Sequence, residues 1–284
     1  MKIALQIPHA LPAIELVQRL GLGTVQLRVG PGFPLDMGDR TLADVKVAAR
    51  QLKDHGLTVG ALGFYRNMLA PNPAEREDDL IRLHNTMQAA EVFETDLIGV
   101  FAGRDPDKTL EDNLPEFERV WAPLAKTAED RGVRLAFENC TMLRGFPPRG
   151  INMSCTPAIL DAMFQAVDSP ALGIEYDPSH LMKQMIDPVR FLQHFRGRIL
   201  HVHAKDHEVV AEELYRHGRF DLRASRDRFP GFGQTDFATI VAELKAQNYG
   251  GPLTIEAERD PEFTDDAGRE RGLKHSVAFL SGLL

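Results

Sequence analysis

Residues 173–182 read GIEYDPSHLM, a short run with the character of a buried β-strand that stops at Asp177, followed by Pro178 and, two residues on, His180. Two readings fit this stretch by itself. Asp-Pro is a common helix start, the aspartate capping free N–H groups and the proline taking the first helical position at little cost. Equally, a carboxylate and an imidazole three residues apart at a strand end are a pair that a divalent cation or a substrate could use. The neighbouring segments have to decide between them.

Outward from this point, short β-rich runs alternate with amphipathic stretches along the whole chain. The strand candidates are KIALQI from Lys2, TVQLRV from Thr24, LTVGAL from Leu57, DLIGVF from Asp96, VRLAFE from Val133, LGIEYD from Leu172, RILHVH from Arg198 and PLTIEAE from Pro252. Between them lie segments such as TLADVKVAARQLKDHG, where Leu42, Val45, Ala49 and Leu52 recur at helical spacing and Gly56 marks the end. Eight strand-helix units in 284 residues predict an α/β fold, a single (β/α)8 TIM barrel over 1–284. A doubly wound sheet is the alternative, but PHALPAIE follows the first strand where a dinucleotide-binding fold would carry G-x-G-x-x-G.

Composition narrows the class. The chain is 43% hydrophobic and 26% charged, and 33 basic against 41 acidic residues leave a formal charge of −8. A duplex-binding protein usually presents a basic surface, so no nucleic-acid partner is expected. The N-terminal MKIALQIPHALPAIELVQRL is broken by Pro8 and Pro12 and does not read as a signal peptide. No run approaches the roughly 20 apolar residues of a membrane span. Cys140 and Cys155 form neither a C-x-x-C pair nor a disulfide framework. A cytoplasmic protein with no membrane partner is expected, with a homo-oligomer possible.

Barrel active sites are built at the C-terminal ends of the strands. There, strand five ends in Glu138, strand six in Asp177, strand seven in His203, and strand eight carries Glu256. Each residue has an ordinary explanation: surface carboxylates for Glu138 and Glu256, a helix cap for Asp177, a satisfied histidine for His203. Four on consecutive strands make a mixed oxygen and nitrogen set suited to one divalent ion, Mn²⁺ first, with Mg²⁺, Co²⁺ or Zn²⁺ as alternatives; the lack of sulfur argues against a structural zinc. Alternation puts His201 on the same face as His203 and deeper in the barrel.

The series AFEN, EYDPSH, HVHAKD, PGFGQTDF and TIEAE resembles the xylose-isomerase-like TIM barrel superfamily of sugar isomerases, ketose 3-epimerases, related dehydratases and abasic-site endonucleases. The motifs are specific from residue 133 to 258, and the first four strands match in order and length. The resemblance implies Glu138, Asp177, His203 and Glu256 as metal ligands, His180 as a substrate contact and PGFG as a turn before the seventh helix. It further implies an isomerase or epimerase that moves a proton next to the carbonyl of a sugar or keto-sugar through an enediolate, with Glu138 and Glu256 as the acid/base pair. A dehydratase or keto-glycoside lyase would use the same centre. The endonuclease branch needs extra histidines after strands three and four and an Asp-x-His in the seventh loop, where this chain has GFYRN, Phe101 and RDRF, with Phe229 in the histidine's place.

A long basic segment, about 205–230, separates strand seven from PGFG and carries Arg216, Arg219, Arg223, Arg226 and Arg228. It reads either as a solvated loop or as a lid whose arginines, Arg228 among them, meet an anionic substrate group. Lys205, on the same face as His203, is the better single candidate for a substrate contact. His9 and Gln26 are weaker candidates for the mouth. Trp121 reads as helix packing, and EREDDL at 75–80 as a solvated helix start.

Overall fold

In the computed structural model the described residues are 1–144, 149–219, 221–257 and 260–284. Eight strands pair in parallel into a closed barrel: β1 Lys2–Pro8, β2 Thr24–Arg28, β3 Thr58–Phe64, β4 Leu97–Val100, β5 Arg134–Glu138, β6 Leu172–Tyr176, β7 Ile199–Ala204 and β8 Pro252–Ile255. Closure comes from β1 pairing with both β2 and β8. All eight sequence-predicted strands are present. Glu258, where the sequence pattern ends the last one, lies outside the described residues, as does Phe220 of the basic segment.

Helices surround the barrel: α1 Leu11–Arg19, α2 Leu42–Asp54, α3 Pro73–Val92, α4 Leu114–Arg131, α5 Pro157–Ala166, α6 Pro178–Lys183, α7 Pro188–His194, α8 Ala211–His217, α9 Phe237–Ala246 and α10 Asp266–Ser281. The apolar layer between helices and strands is the main core. Trp121 of α4 sits in it fully buried, edge-on to Phe137 at 4.6 Å, with its indole N–H donating to the Ala102 carbonyl at 2.9 Å. The packing role expected for it holds.

The EREDDL segment departs from expectation at one residue. Asp79 is 1% exposed, and Arg66 Nε donates to its two oxygens at 2.9 and 3.0 Å. One helical turn beyond Glu75, it falls on the face that packs toward Arg66 and is sealed there.

Inside the barrel, the lower layer is small and apolar, with Ala61, Leu97 and Ala136 buried together. Above it the lumen turns polar. Gln6, Gln26, Glu175, His201, His203 and Thr254 are all 9% exposed or less. Gly99 on β4 makes this possible, since a Cβ there would collide with the Glu175 carboxylate.

Past β7 the chain leaves the barrel as one arm of an antiparallel ribbon, Asp206–Val209 against Ser225–Arg228, with α8 between the arms. Asp206 anchors this ribbon. Its carboxylate is 1% exposed and accepts backbone N–H bonds from His207 (2.8 Å), Gly231 (3.0 Å), Gly233 (2.8 Å) and Thr235 (2.9 Å). The PGFG turn therefore wraps a buried carboxylate, and a Cβ at Gly233 would strike Asp206 Oδ1.

Candidate metal centre and active site

The two readings of the Asp-Pro step use different oxygens of one side chain. Asp177 is the N-cap of α6, its Oδ1 accepting the Ser179 N–H at 2.8 Å. Its Oδ2 is buried and has no hydrogen-bond partner. Around it, one oxygen or ring nitrogen from each of Glu138, Asp177, His203 and Glu256 lies within 4.8 Å of the others. All four residues are buried.

Hydrogen bonds hold the strand ends in place. Asn139, the residue after Glu138, donates to the Asp177 carbonyl at 2.8 Å and accepts the Asp177 N–H at 2.6 Å, joining the ends of β5 and β6. Asn152 and Ser154 donate to the Glu138 carbonyl at 3.1 and 2.7 Å. His203 is oriented from below. Its Nε2 lies 2.8 Å from Gln26 Oε1, which leaves Nδ1 facing Glu138 at 3.1 Å and Glu256 at 3.4 Å. Gln26 donates to Glu175 and to the Tyr65 hydroxyl, both at 2.8 Å, and Tyr65 O–H donates to the other Glu175 oxygen at 2.8 Å. His201 completes the floor between Glu175 (2.6 Å) and Thr254 (2.8 Å), deeper in the barrel, as expected.

Crowding these groups away from water splits their proton affinities. Burial, with Glu256 and Glu175 adding to it and His203 opposing, pushes Glu138 up to about 8. Asp177 rises to about 6, again chiefly through burial, against the pull of Lys205. Burial would raise Glu256 too, but the Lys205 ammonium, 3.2 Å away, and His203 outweigh it and hold Glu256 well below the usual carboxylate range. Glu175 falls to about 2 because His203 and His201 outweigh its burial. A carboxylate that keeps a proton at neutral pH beside an orphaned Asp177 oxygen is a cluster short of positive charge. The donor set fits a divalent ion of the Mn²⁺, Mg²⁺, Co²⁺ or Zn²⁺ type.

Of the other residues singled out in the sequence, His180 lies at the centre, its Nε2 3.4 Å from Asp177 Oδ2 and 3.8 Å from Glu138 Oε1. Lys205 joins it through Glu256. Arg228 is buried in a cage of carboxylates: Nε to Asp260 at 3.1 Å, Nη1 to Glu208 at 2.5 Å and Nη2 to Glu262 at 2.9 Å. A guanidinium so engaged latches the ribbon, each of its three nitrogens already facing a carboxylate where the sequence suggested a substrate contact. In the basic segment Arg216 pairs with Glu212 and Arg223 with Asp221, both solvent-exposed, and Arg219 is also engaged. Gln26 belongs to the floor of the centre rather than its mouth.

Sequence reasoning missed Tyr65, Glu175, Asn139 and Asp206. Glu175 had a signal, a charged residue inside an otherwise apolar strand. Tyr65 gave none, its partner lying 110 residues away, and Asp206, although it ends the HVHAKD motif, gave no sign of its role because the turn it binds begins about 25 residues on.

Residues 14–283 match the xylose isomerase-like TIM barrel family. The chain belongs to that family. Within it, the chain is 26% identical over 244 residues to the inosose dehydratase of Clostridium botulinum (strain Alaska E43 / Type E3), covering 81% of this chain and 79% of that protein. Among solved structures, L-ribulose 3-epimerase superposes with a TM-score of 0.74 at 19% identity, over 100% of this chain and 95% of the other. The IOLI protein, solved with a bound zinc atom, has a TM-score of 0.72 at 15% identity over 100% and 96%. At those identities the structures speak to the fold. In this chain the buried donor cluster stands at the C-terminal ends of the barrel strands, where barrel active sites are built.

Proposed function

We propose that the protein is a divalent-metal-dependent enzyme that removes a proton next to the carbonyl of a keto-polyol and expels water, with Glu138, Asp177, His203 and Glu256 holding the ion. One observation favours elimination over simple epimerisation: the buried Lys205 ammonium lies 3.2 Å from Glu256 on the same rim as the carboxylates. Epimerisation needs a proton carrier on each face of one carbon. Elimination needs a base for the C–H bond and a separate acid for the leaving hydroxyl. The similarity to an inosose dehydratase supports the same reading and suggests an inosose as the keto-polyol.

The ion, when bound, supplies Lewis-acid polarisation of the substrate carbonyl. The chain's residues do the rest. Glu138, which gives up its own proton when the ion is held, takes the proton from the carbon beside the carbonyl. The C–H electron pair becomes the new C=C bond as the C–O bond of the neighbouring hydroxyl breaks, and Lys205 gives the departing oxygen its proton, releasing water. His180, at the junction of Asp177 and Glu138, orients a substrate oxygen. Glu175, His201, Gln26 and Tyr65 fix His203 from below.

The alternative is a 3-epimerase, with Glu138 and Glu256 as the two proton carriers. The likeness to L-ribulose 3-epimerase in fold and the facing glutamates support it. Solvent deuterium exchange and water loss separate the two when measured together on an inosose and on ketoses, with metal content assayed in each sample. Glu138→Gln that retains metal should lose turnover by at least about 10²-fold, the low end of general acid–base contributions. Lys205→Met should retain C–H exchange and lose dehydration. An epimerised ketose formed without water loss would put the second reading first, and full dehydration by Lys205→Met would refute the acid assignment.

A further inference from the structure

We propose that Lys183, Asp227 and His207 form an outer subsite that binds a vicinal pair of substrate hydroxyls and so selects an uncharged polyol over a phosphorylated sugar. This rests on the reading of the centre as a keto-polyol enzyme. Two rows of side chains lead outward from the donor cluster. Along β7 and its continuation into the ribbon, His203, Lys205 and His207 alternate and share a face. On α6 and its cap, Asp177, His180 and Lys183 recur every three residues, along one side of the helix. At the inner end the rows meet as the centre itself. At the outer end they meet at Asp227, which stands opposite His207 on the other arm of the ribbon.

There Lys183 Nζ lies 2.6 Å from Asp227 Oδ1, with both side chains about a third exposed, 32% and 31%. His207 is fully buried, and neither of its ring nitrogens has a hydrogen-bond partner. Its Nδ1 is 3.8 Å from Asp227 Oδ1, too long for a bond. Buried polar groups are normally satisfied, and a histidine with both nitrogens unpartnered beside a part-exposed ion pair points to a polar ligand there. Asp227 itself stays ionised. Its burial would favour the proton, but Lys205 and Lys183 outweigh that and hold it far below the usual carboxylate range.

The chemistry of this corner selects the ligand. A carboxylate that only accepts and an ammonium that only donates, side by side, match two adjacent hydroxyls, each of which can do both. A phosphate in the same place would have to approach the Asp227 carboxylate, with Lys183 already paired to it. Lys205, the other cation that acts on Asp227, is paired with Glu256. Neutral hydroxyls are accepted and a phosphate dianion is repelled.

The test uses metal-loaded full-length protein and calorimetric titration with myo-inositol, a polyol without a carbonyl, and with inositol 1-phosphate. Wild type should bind the neutral polyol and bind the phosphate more weakly. Asp227→Asn and Lys183→Gln should each weaken myo-inositol binding by at least about tenfold, the low end for a hydrogen bond to a charged group, with metal content and circular dichroism unchanged. On a turned-over keto-polyol the same variants should raise KM more than they lower kcat. Inositol 1-phosphate binding more tightly than myo-inositol, no measurable binding of myo-inositol to wild type, or unchanged binding in both variants would each overturn the subsite. Deuterium exchange in wild type reads the reaction independently. Its absence alongside variant-sensitive polyol binding would refute the enzyme reading and leave the subsite standing.

Discussion

Replacing Asp206 with asparagine should cost the fold more than any exposed acidic substitution on this chain. The carboxylate is 1% exposed and accepts four backbone N–H groups, two on each oxygen: His207 and Thr235 on Oδ1, Gly231 and Gly233 on Oδ2. Asparagine is nearly isosteric but keeps one acceptor oxygen. Whichever way the amide is turned, its NH₂ meets two N–H donors that it cannot satisfy. Losing two bonds to a charged acceptor, at about 1.5–3 kcal/mol each, predicts a loss of roughly 3–6 kcal/mol. At roughly 2–4 °C per kcal/mol, Tm should fall by about 6 °C or more. Lys205 and His207 flank Asp206, so turnover should fall with stability. The assay is thermal unfolding of metal-loaded protein, followed by circular dichroism, beside Asp54→Asn on the exposed face of α2 as control. A Tm for Asp206→Asn within about 2 °C of wild type would refute the view that this carboxylate anchors the PGFG turn.

Metal-free protein should lose stability as pH rises from about 6.5 to about 8, above the range in which the buried His180 and His201, held below their ordinary value of 6.5, act in the opposite sense. Glu138 and Asp177 have folded values raised to about 8 and about 6, so the folded state keeps protons that the unfolded chain has already released. Their contribution to stability is full below the unfolded values and is lost as pH climbs through the folded ones. Glu175, lowered to about 2, acts only below its ordinary value of 4.5 and does not offset this. Metal loading should widen the Tm gap between loaded and free protein across that window, and a gap independent of pH would contradict the charge-deficient centre. Gly99→Ala should destabilise by about 3 kcal/mol or more in urea unfolding, because its methyl group would displace the Glu175 carboxylate from four hydrogen-bonding neighbours. Arg228→Ala, which strands three carboxylates, should cost about 3–5 kcal/mol, whereas Arg226→Ala on the exposed side of the same strand should stay within about 0.5 kcal/mol. Equal effects of the two would show that the ribbon is held by something other than its carboxylate cage.

Periodicity alone determined the barrel. Strand and helix periods are local properties of the chain, and eight alternations leave little choice of architecture. The four donors were legible for the same reason: each stands at a strand end, and a parallel barrel gathers strand ends on one rim. The Asp177-Pro178 step was readable only as a choice between cap and ligand, since a sequence does not show which carboxylate oxygen faces which neighbour. Tertiary structure settled what depends on meetings between distant residues. It brought Glu175, a charge in an apolar strand, against Tyr65 and Gln26 from the opposite side of the barrel. It turned Arg228 from a candidate anion contact into a buried latch, because the carboxylates that claim it come from the facing ribbon arm and from the segment after β8. It placed Asp227 beside Lys183 across a loop in which the arginines stand out but acidic residues are as numerous as basic ones. Side-chain pairing over such separations has no period and leaves no local trace, so it becomes visible only once the barrel has closed.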